Sequence, residues 1–326
     1  MCSKFTVEEI IDLDIWQDNI EKTSQYTMFV SKTYLSSFGG KFKTFFIKKG
    51  IEFKAGFCLL LSDDKKDVIL DDLVIYTGFF FKDDITQKEV KARAERFEIS
   101  EFIINHITKN YRNIEIALST KIEDMRPFLW HNYGSKNKKE IFQLDLRYTS
   151  YIDISELKNF ENEENTEVFK NLETLRQRNI RQARKDNSTT KEELHVELFL
   201  DYYKQLMSSQ DEIVSDIKIF NMLNIIKNMI QDRKAVMFAT KNGKNEIVYL
   251  TVFSYDKNRA YYLFGAGNPN AKEHYKGTIC FWDAFINLAQ KFDIKEVDME
   301  GINSPNRGWF KLSFGGNIVP YYEIKL

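Results

Sequence analysis

The sequence predicts a mixed α/β chain built from two units in tandem, on three observations. Runs that alternate apolar and polar residues at the strand period are interleaved with runs at helical spacing. Their order (meander, helix, strand, loop, strand) occurs twice. A residue pattern also recurs at a constant offset. Glu115, Arg126 and Gly134 correspond to Glu296, Arg307 and Gly315, with glutamate and arginine eleven residues apart in both copies. Such a repeat bears on architecture before it bears on function. At 326 residues and 43% hydrophobic content, the chain can supply two cores.

The elements follow in order. Residues 5–40 read as helical pieces and turns, with Trp16, Tyr26, Phe29 and Tyr34 available to pack. Segments 42–48, 51–61 and 67–81 read as successive strands, the first two as an antiparallel meander turned at Lys49 and Gly50. Segment 86–110 reads as a helix because Val90, Ala94, Phe97, Ile104 and Ile107 recur at helical spacing. Strands at 114–118 and 141–146 close the first unit, with a loop between them. A polar, acidic connector at 150–165 leads into a helix at 166–185, and further helices follow at 191–207 and 217–232. Strands resume at 235–240, 247–254 and 259–264, the first two split by the turn Asn242-Gly243. The loop 265–277 opens a helix at 278–291. A strand at 297–300, a loop, a short segment at 309–314, the turn Gly315-Gly316 and a strand at 318–324 end the chain. The expected units are therefore 1–150 and 151–326.

Composition narrows the function. A net charge of −1 gives no bulk attraction for polyanions. Cys2, Cys58 and Cys280 are odd in number and far apart, which argues against a disulfide framework or a zinc site and for a reducing compartment. His106, His131, His195 and His274 show no metal spacing, so no metal is expected. There is no Walker sequence, no Rossmann fingerprint and no nucleophile elbow. The first residues have neither a basic nor an apolar signal region, and no stretch reaches transmembrane length. A soluble cytoplasmic protein is expected.

Chemistry is expected in the second copy of the repeat. Where it carries Asp298, Glu300 and Lys311, the first carries Ala117, Ser119 and Trp130. On the strand reading, Val297 and Met299 face one way and Asp298 and Glu300 the other. The two acids could include a general base that deprotonates an attacking amine, or be structural carboxylates bonded to Arg307 or Lys311. Lys311, among aromatic residues, could stabilise an oxyanion or a phosphate. The strand-to-helix loop can offer amides and a helix dipole to a phosphate. Its candidate cofactor residues are Gly265, Gly267, His274, Lys276, Gly277 and Thr278, with Lys272 adding charge. Arg178, Arg181 and Lys185 form one stripe of a helix, which either grips substrate phosphates or is a solvated face. Arg307 joins them as a candidate substrate contact.

At this point the residues suggest a family. The chain resembles the FemAB-like branch of the GNAT acyltransferase superfamily. Four features carry the resemblance: Trp16 with Tyr26-Thr-Met-Phe29 and Tyr34-Leu35; the basic helix Arg176-Gln-Arg-Asn-Ile-Arg-Gln-Ala-Arg-Lys185; Tyr262-Leu-Phe-Gly-Ala266 before a glycine-opened helix; and the ending Asp298-Met-Glu-Gly301 with Phe310-Lys-Leu-Ser-Phe-Gly315. The resemblance implies an α+β fold of two tandem GNAT-like units. Each is a partly antiparallel sheet flanked by helices, and substrate is held in a cleft of the tandem units. It implies attack of an amine on an activated acyl group, from acyl-CoA or aminoacyl-tRNA, with cell-envelope precursors as acceptors. It places Lys311, in the matching Phe-Lys-x-x-Phe-Gly ending, near the reacting group or a phosphate. The chain departs from the pattern in two places. The GNAT pyrophosphate signature survives only as the central glycine of His274-Tyr-Lys-Gly277-Thr-Ile279. The helical arm of some tRNA-using members has no counterpart, which favours acyl-CoA as donor. The expected function is an N-acyltransferase acting on an amine of a cell-envelope or sugar-nucleotide precursor. The alternative is an inactive binding module for a phosphorylated glycan or RNA.

Overall fold

The computed structural model describes residues 4–84, 86–210 and 212–326. Cys2, read above with the other cysteines, lies outside them, as do the first three residues of the leader reading. The chain divides into two compact units: Met1–Arg147 with Pro320–Leu326, and Tyr148–Val319.

The first unit begins with β1 (Thr6–Glu9), α1 (Leu13–Ile20) and α2 (Lys32–Ser36). There follow β2 (Phe42–Lys49), β3 (Glu52–Leu61), β4 (Val68–Ile69) and β5 (Gly78–Phe81), then α3 (Glu89–Asn110), β6 (Glu115–Ala117) and α4 (Arg126–Leu129). Strands β1 to β4 are neighbours in sequence order, and β5 also pairs with β3, all antiparallel. Ile99, Ile103, Ile104 and Ile107 of α3 share a core with Phe45, Phe57 and Phe79 of this sheet. Strand β7 (Gln143–Asp153) starts in this unit and ends in the second.

The second unit continues with α5 (Glu167–Lys170), α6 (Thr174–Lys185), β8 (Thr189–Glu192), α7 (Val196–Ser208) and α8 (Asp216–Gln231). Next are β9 (Ala235–Lys241), β10 (Ile247–Tyr255), β11 (Ala260–Gly267), α9 (Lys276–Phe292), β12 (Glu296–Asp298) and α10 (Pro305–Leu312). Strand β13 (Asn317–Lys325) closes the chain, its last residues belonging to the first unit. The sheet order here is β7, β12, β11, β10, β9, β8. All its pairs are antiparallel except β11 with β12. Helix α9 is the core helix, buried from Gly277 to Phe285 and again at Leu288 and Ala289. Its Phe281 and Phe285 pack against Phe253 and Phe314. This is the α+β fold of partly antiparallel sheets and flanking helices that the sequence predicts.

Several elements differ from the sequence reading, each for a physical reason. Strand β1 falls in a segment read as helix and turn; it is an edge strand with only Val7 partly buried, so it shows no alternation. Segment 67–81 holds two short strands, because the Asp71 carboxylate accepts from Leu73 N at 2.9 Å and turns the chain. The expected helix at 166–185 is broken, and at the break Glu173 N donates to Ser313 O, 2.9 Å away. Residues 189–192 pair with β9 before α7 begins. Strand β7 runs four residues into the expected connector, to Asp153. Gly265 and Gly267 belong to β11, and α9 starts at Lys276. The 309–314 segment is largely helical, its start set by Pro305 in the first turn. Among the described residues no helix is long and apolar enough to cross a membrane. No group of three or more His, Cys, Asp or Glu among them could hold a metal ion.

Candidate active site

Strands β11 and β12 are parallel neighbours over two residue pairs only, Ala260 with Val297 and Tyr261 with Asp298. β11 continues to Gly267, while the other chain turns away after Asp298. Met299 N donates to Ser150 O at 2.9 Å, so the residue expected to continue the strand is held by β7. Glu300 has φ +56°, in the left-handed region that non-glycine residues rarely occupy. Alternation therefore fails here: Val297, Asp298, Met299 and Glu300 are all buried.

The two acids do different work. The Asp298 carboxylate accepts from the Thr149 hydroxyl and, at 2.8 Å, from Glu300 N. It stabilises the strained turn. Glu300 is 6% exposed, and its Oε1 has no hydrogen-bond partner among the described residues. Burial holds its carboxyl well above the usual carboxylate range; Lys311 opposes the shift and Asp298 adds to it.

Lys311 comes from α10. Gly308 lets this helix approach the preceding loop, since a Cβ there would lie 2.3 Å from Ile302 O. The Lys311 ammonium donates to Gly301 O at 3.1 Å and sits 5.2 Å from the centre of the Tyr262 ring. Burial lowers its pKa to about 8, against the raising effect of Glu300 and Asp298, with Arg307 adding to the fall. Burial raises Tyr262 in turn. A buried carboxyl, a lysine whose pKa burial lowers and a phenol thus stand where β11 and β12 cease to pair. Such a set can move a proton and stabilise negative charge.

The other predicted residues are placed as follows. Arg307 bonds neither acid; it pairs with Glu212 at 2.8 Å and reaches Gln210 at 3.3 Å. Gly265, Gly267 and Gly277 surround the Tyr249 side chain, with a Cβ at each lying 2.9–3.2 Å from one of its atoms. The Lys276 ammonium donates to Asn268 O at 2.7 Å and Ala271 O at 2.8 Å. His274 is exposed. The Thr278 hydroxyl accepts from Arg176 at 2.7 Å and Asn179 at 3.3 Å. Arg178 and Lys185 lie on the exposed face of α6, and Arg181 is tied to Glu164 at 2.7 Å.

Sequence reasoning missed Arg176, Tyr249 and Tyr262 as site residues. The Arg176 guanidinium donates to Ser313 Oγ at 2.8 Å as well as to Thr278, and lies 5.0 Å from the Phe310 ring centre. It thereby clamps α10, the helix of Lys311, to α9. Among the described residues it makes no ion pair, and burial lowers its pKa despite Glu173. A signal existed. Arg176 shares a helical face with the buried Ile180 and Ala183, whereas the stripe singled out above faces water.

A CoA pyrophosphate was the expectation for the start of α9. The first-turn amides of Gly277 and Thr278 have no intrahelical partner, and Tyr275 provides no side-chain cap; Arg176 lies beside them on the Thr278 hydroxyl. Tyr249 fills the faces of the three glycines, and Lys276 already binds two carbonyls. These residues therefore do not add to that edge.

No protein-family model matches the chain, and no curated protein matches it. Solved structures do. The chain is similar to FemX, at 12% identity and a TM-score of 0.64, covering 97% of this chain and 96% of that one. It is similar to L-PGS from Bacillus licheniformis, at 13% identity and a TM-score of 0.52, covering 96% and 91%. It is also similar to a tandem GNAT protein from the clavulanic acid biosynthesis pathway, at 9% identity and a TM-score of 0.50, covering 98% and 97%. At such identities a likeness shows fold, and the fold is that of tandem GNAT-like units of the FemX type.

Proposed function

We propose that this protein is an N-acyltransferase. It transfers an acyl group from an activated donor to an amine of a cell-envelope or sugar-nucleotide precursor in the cytoplasm. The observation that carries this reading is Glu300, a buried carboxyl with an unpartnered oxygen, in the opening that Lys311 also faces. Attack on a thioester or ester needs a neutral amine, and an acceptor amine is mostly protonated near neutral pH. A carboxyl with a raised pKa is a stronger base than an exposed one. Glu300 takes the proton as the amine attacks, and Lys311 stabilises the oxyanion or an acceptor phosphate. Asp298 acts through the turn, holding Glu300 in place. Acyl-CoA is the favoured donor over aminoacyl-tRNA; bound, it supplies the activated acyl carbon. The amides of Gly277 and Thr278, with Arg176, would hold one of its phosphates. The names of the similar structures, FemX and tandem GNAT protein, support the acyl-transfer reading. Incubation with acetyl-CoA and a panel of amino-sugar nucleotides should release free thiol and form amide. Silence with every amine, and with charged tRNA as donor, would return the chain to the binding-module alternative.

A further inference from the structure

We propose that Lys311 is itself an acylation site. When no acceptor is bound, its ε-amine takes the acyl group from an activated thioester, and the resulting amide silences the enzyme. The inference rests on the acyltransferase reading and adds a regulatory state to the same site.

The Lys311 ammonium is held by one carbonyl and one ring. Its hydrogen bond goes to a neutral carbonyl, Gly301 O at 3.1 Å, and no carboxylate lies within ion-pairing distance among the described residues. One face looks onto the Tyr262 ring, 5.2 Å away. The charges of Glu300 and Asp298 favour the ammonium from beyond ion-pairing distance, and Glu300 keeps one oxygen without a hydrogen-bond partner among the described residues. A lysine in such a setting is a nucleophile, because its lone pair becomes available near neutral pH. Lys276 is the internal contrast. Burial lowers its pKa too, but two short bonds to Asn268 O and Ala271 O hold its protons. The two lysines share a partly buried setting and differ in how firmly the ammonium is bound.

The step balances without a further reactant. Lys311 Nζ attacks the acyl carbon, the C–N bond forms and the C–S bond breaks. The thiolate leaves and takes up the proton that the amine gives up. The products are a thiol and an Nε-acyl-lysine. An amide does not pass its acyl group on to a second amine, so this is a blocked state and not an intermediate. It removes the positive charge that the proposed reaction needs at this point.

The test uses the full chain without any amine, incubated with acetyl-CoA or with S-acetyl-N-acetylcysteamine, a thioester that lacks the nucleotide. Intact mass and peptide mapping follow the label, and a thiol assay follows release. One acetyl group per chain is expected, on Lys311, with activity toward an amine acceptor falling in step. Labelling of Lys311 should outrun that of Lys276, whose ammonium is held by two carbonyl bonds. The rate should rise with pH and level off above about 8, with Glu300, Asp298, Arg307 and Tyr262 the groups that face it. A label spread evenly over surface lysines, or no label on Lys311, overturns the inference. The amine panel decides the acyltransferase reading separately: turnover with an unmarked Lys311 would sink this inference alone. Lys311→Arg, checked by thermal melt, should abolish the label in a folded protein.

Discussion

The two copies of the repeat use one backbone device for two purposes. Each begins with a three-residue strand headed by glutamate, β6 or β12, and passes into a helix that carries the repeated arginine. Each then turns through a glycine in the left-handed region, Gly134 at φ +85° or Gly315 at φ +82°, and a long strand follows. The side chains diverge. In the first copy, Ala117 and Ser119 are buried with little to titrate. Trp130 is 51% exposed, packed on Phe97 and under Arg126. In the second copy, Asp298, Glu300 and Lys311 stand at the corresponding sequence positions, and each acid favours the charged form of the lysine. The order of strand, helix and glycine turn is the constant. The side chains differ, and so does the backbone at one point: Glu300 has a positive φ and Ser119 does not.

The largest effects belong to Lys311 and Glu300 of the second copy. Lys311→Met or Glu300→Gln should each lower turnover at least about tenfold, in the range for an acid–base or oxyanion group. Glu300→Gln should not lower the melting temperature, because it removes a desolvated carboxyl with an unpartnered oxygen. Arg176→Lys comes next. It loses the forked contact to Ser313 and Thr278, and displacement of α10 should reduce kcat on the order of tenfold. Retained kcat would show that Lys311 is positioned by α10 alone.

Asp298→Asn is expected to act on stability first, by about 1–3 kcal/mol, since Thr149 and Glu300 N both lose a charged acceptor. A chemical melt measures this; a drop in turnover at unchanged stability would instead make Asp298 part of the chemistry. Glu300 also gives stability a pH dependence. Its folded pKa is raised, so its contribution is full below the ordinary carboxylate range and is lost as pH rises toward the raised value. Glu300→Gln lacks that loss. The melting temperature of the variant relative to wild type should therefore climb between pH 5 and 7, roughly the window above an ordinary carboxylate pKa. A difference that stays flat would mean Glu300 titrates normally. The smallest effect belongs to the first copy: Ser119→Ala should leave turnover within about twofold, as expected of a change outside the reacting groups. If it proves as damaging as Glu300→Gln in a folded protein, the chemistry is not confined to the second copy.

The sequence by itself determined a good deal. Residue periodicity was enough for most strands and helices, and for the mixed fold, because those signals are local. The constant offset of Glu115, Arg126 and Gly134 from Glu296, Arg307 and Gly315 located the repeat. The contrast of Ala117, Ser119 and Trp130 with Asp298, Glu300 and Lys311 pointed to the half in which ionisable groups gather. Tertiary structure decided what each of those groups can do. Asp298 and Glu300 are two residues apart and chemically alike. What separates them is a hydroxyl at Thr149, 149 residues away, that bonds one acid and leaves the other unpartnered. The break between α5 and α6 coincides with a bond from Glu173 to Ser313, and the role of Arg176 depends on Thr278 and Ser313 lying beside it. Hydrogen-bond partners and desolvation set the state of a titratable group, and both are supplied by residues remote in the chain. Periodicity reports which face of an element is apolar. It carries no information about which distant atom meets a polar side chain on that face.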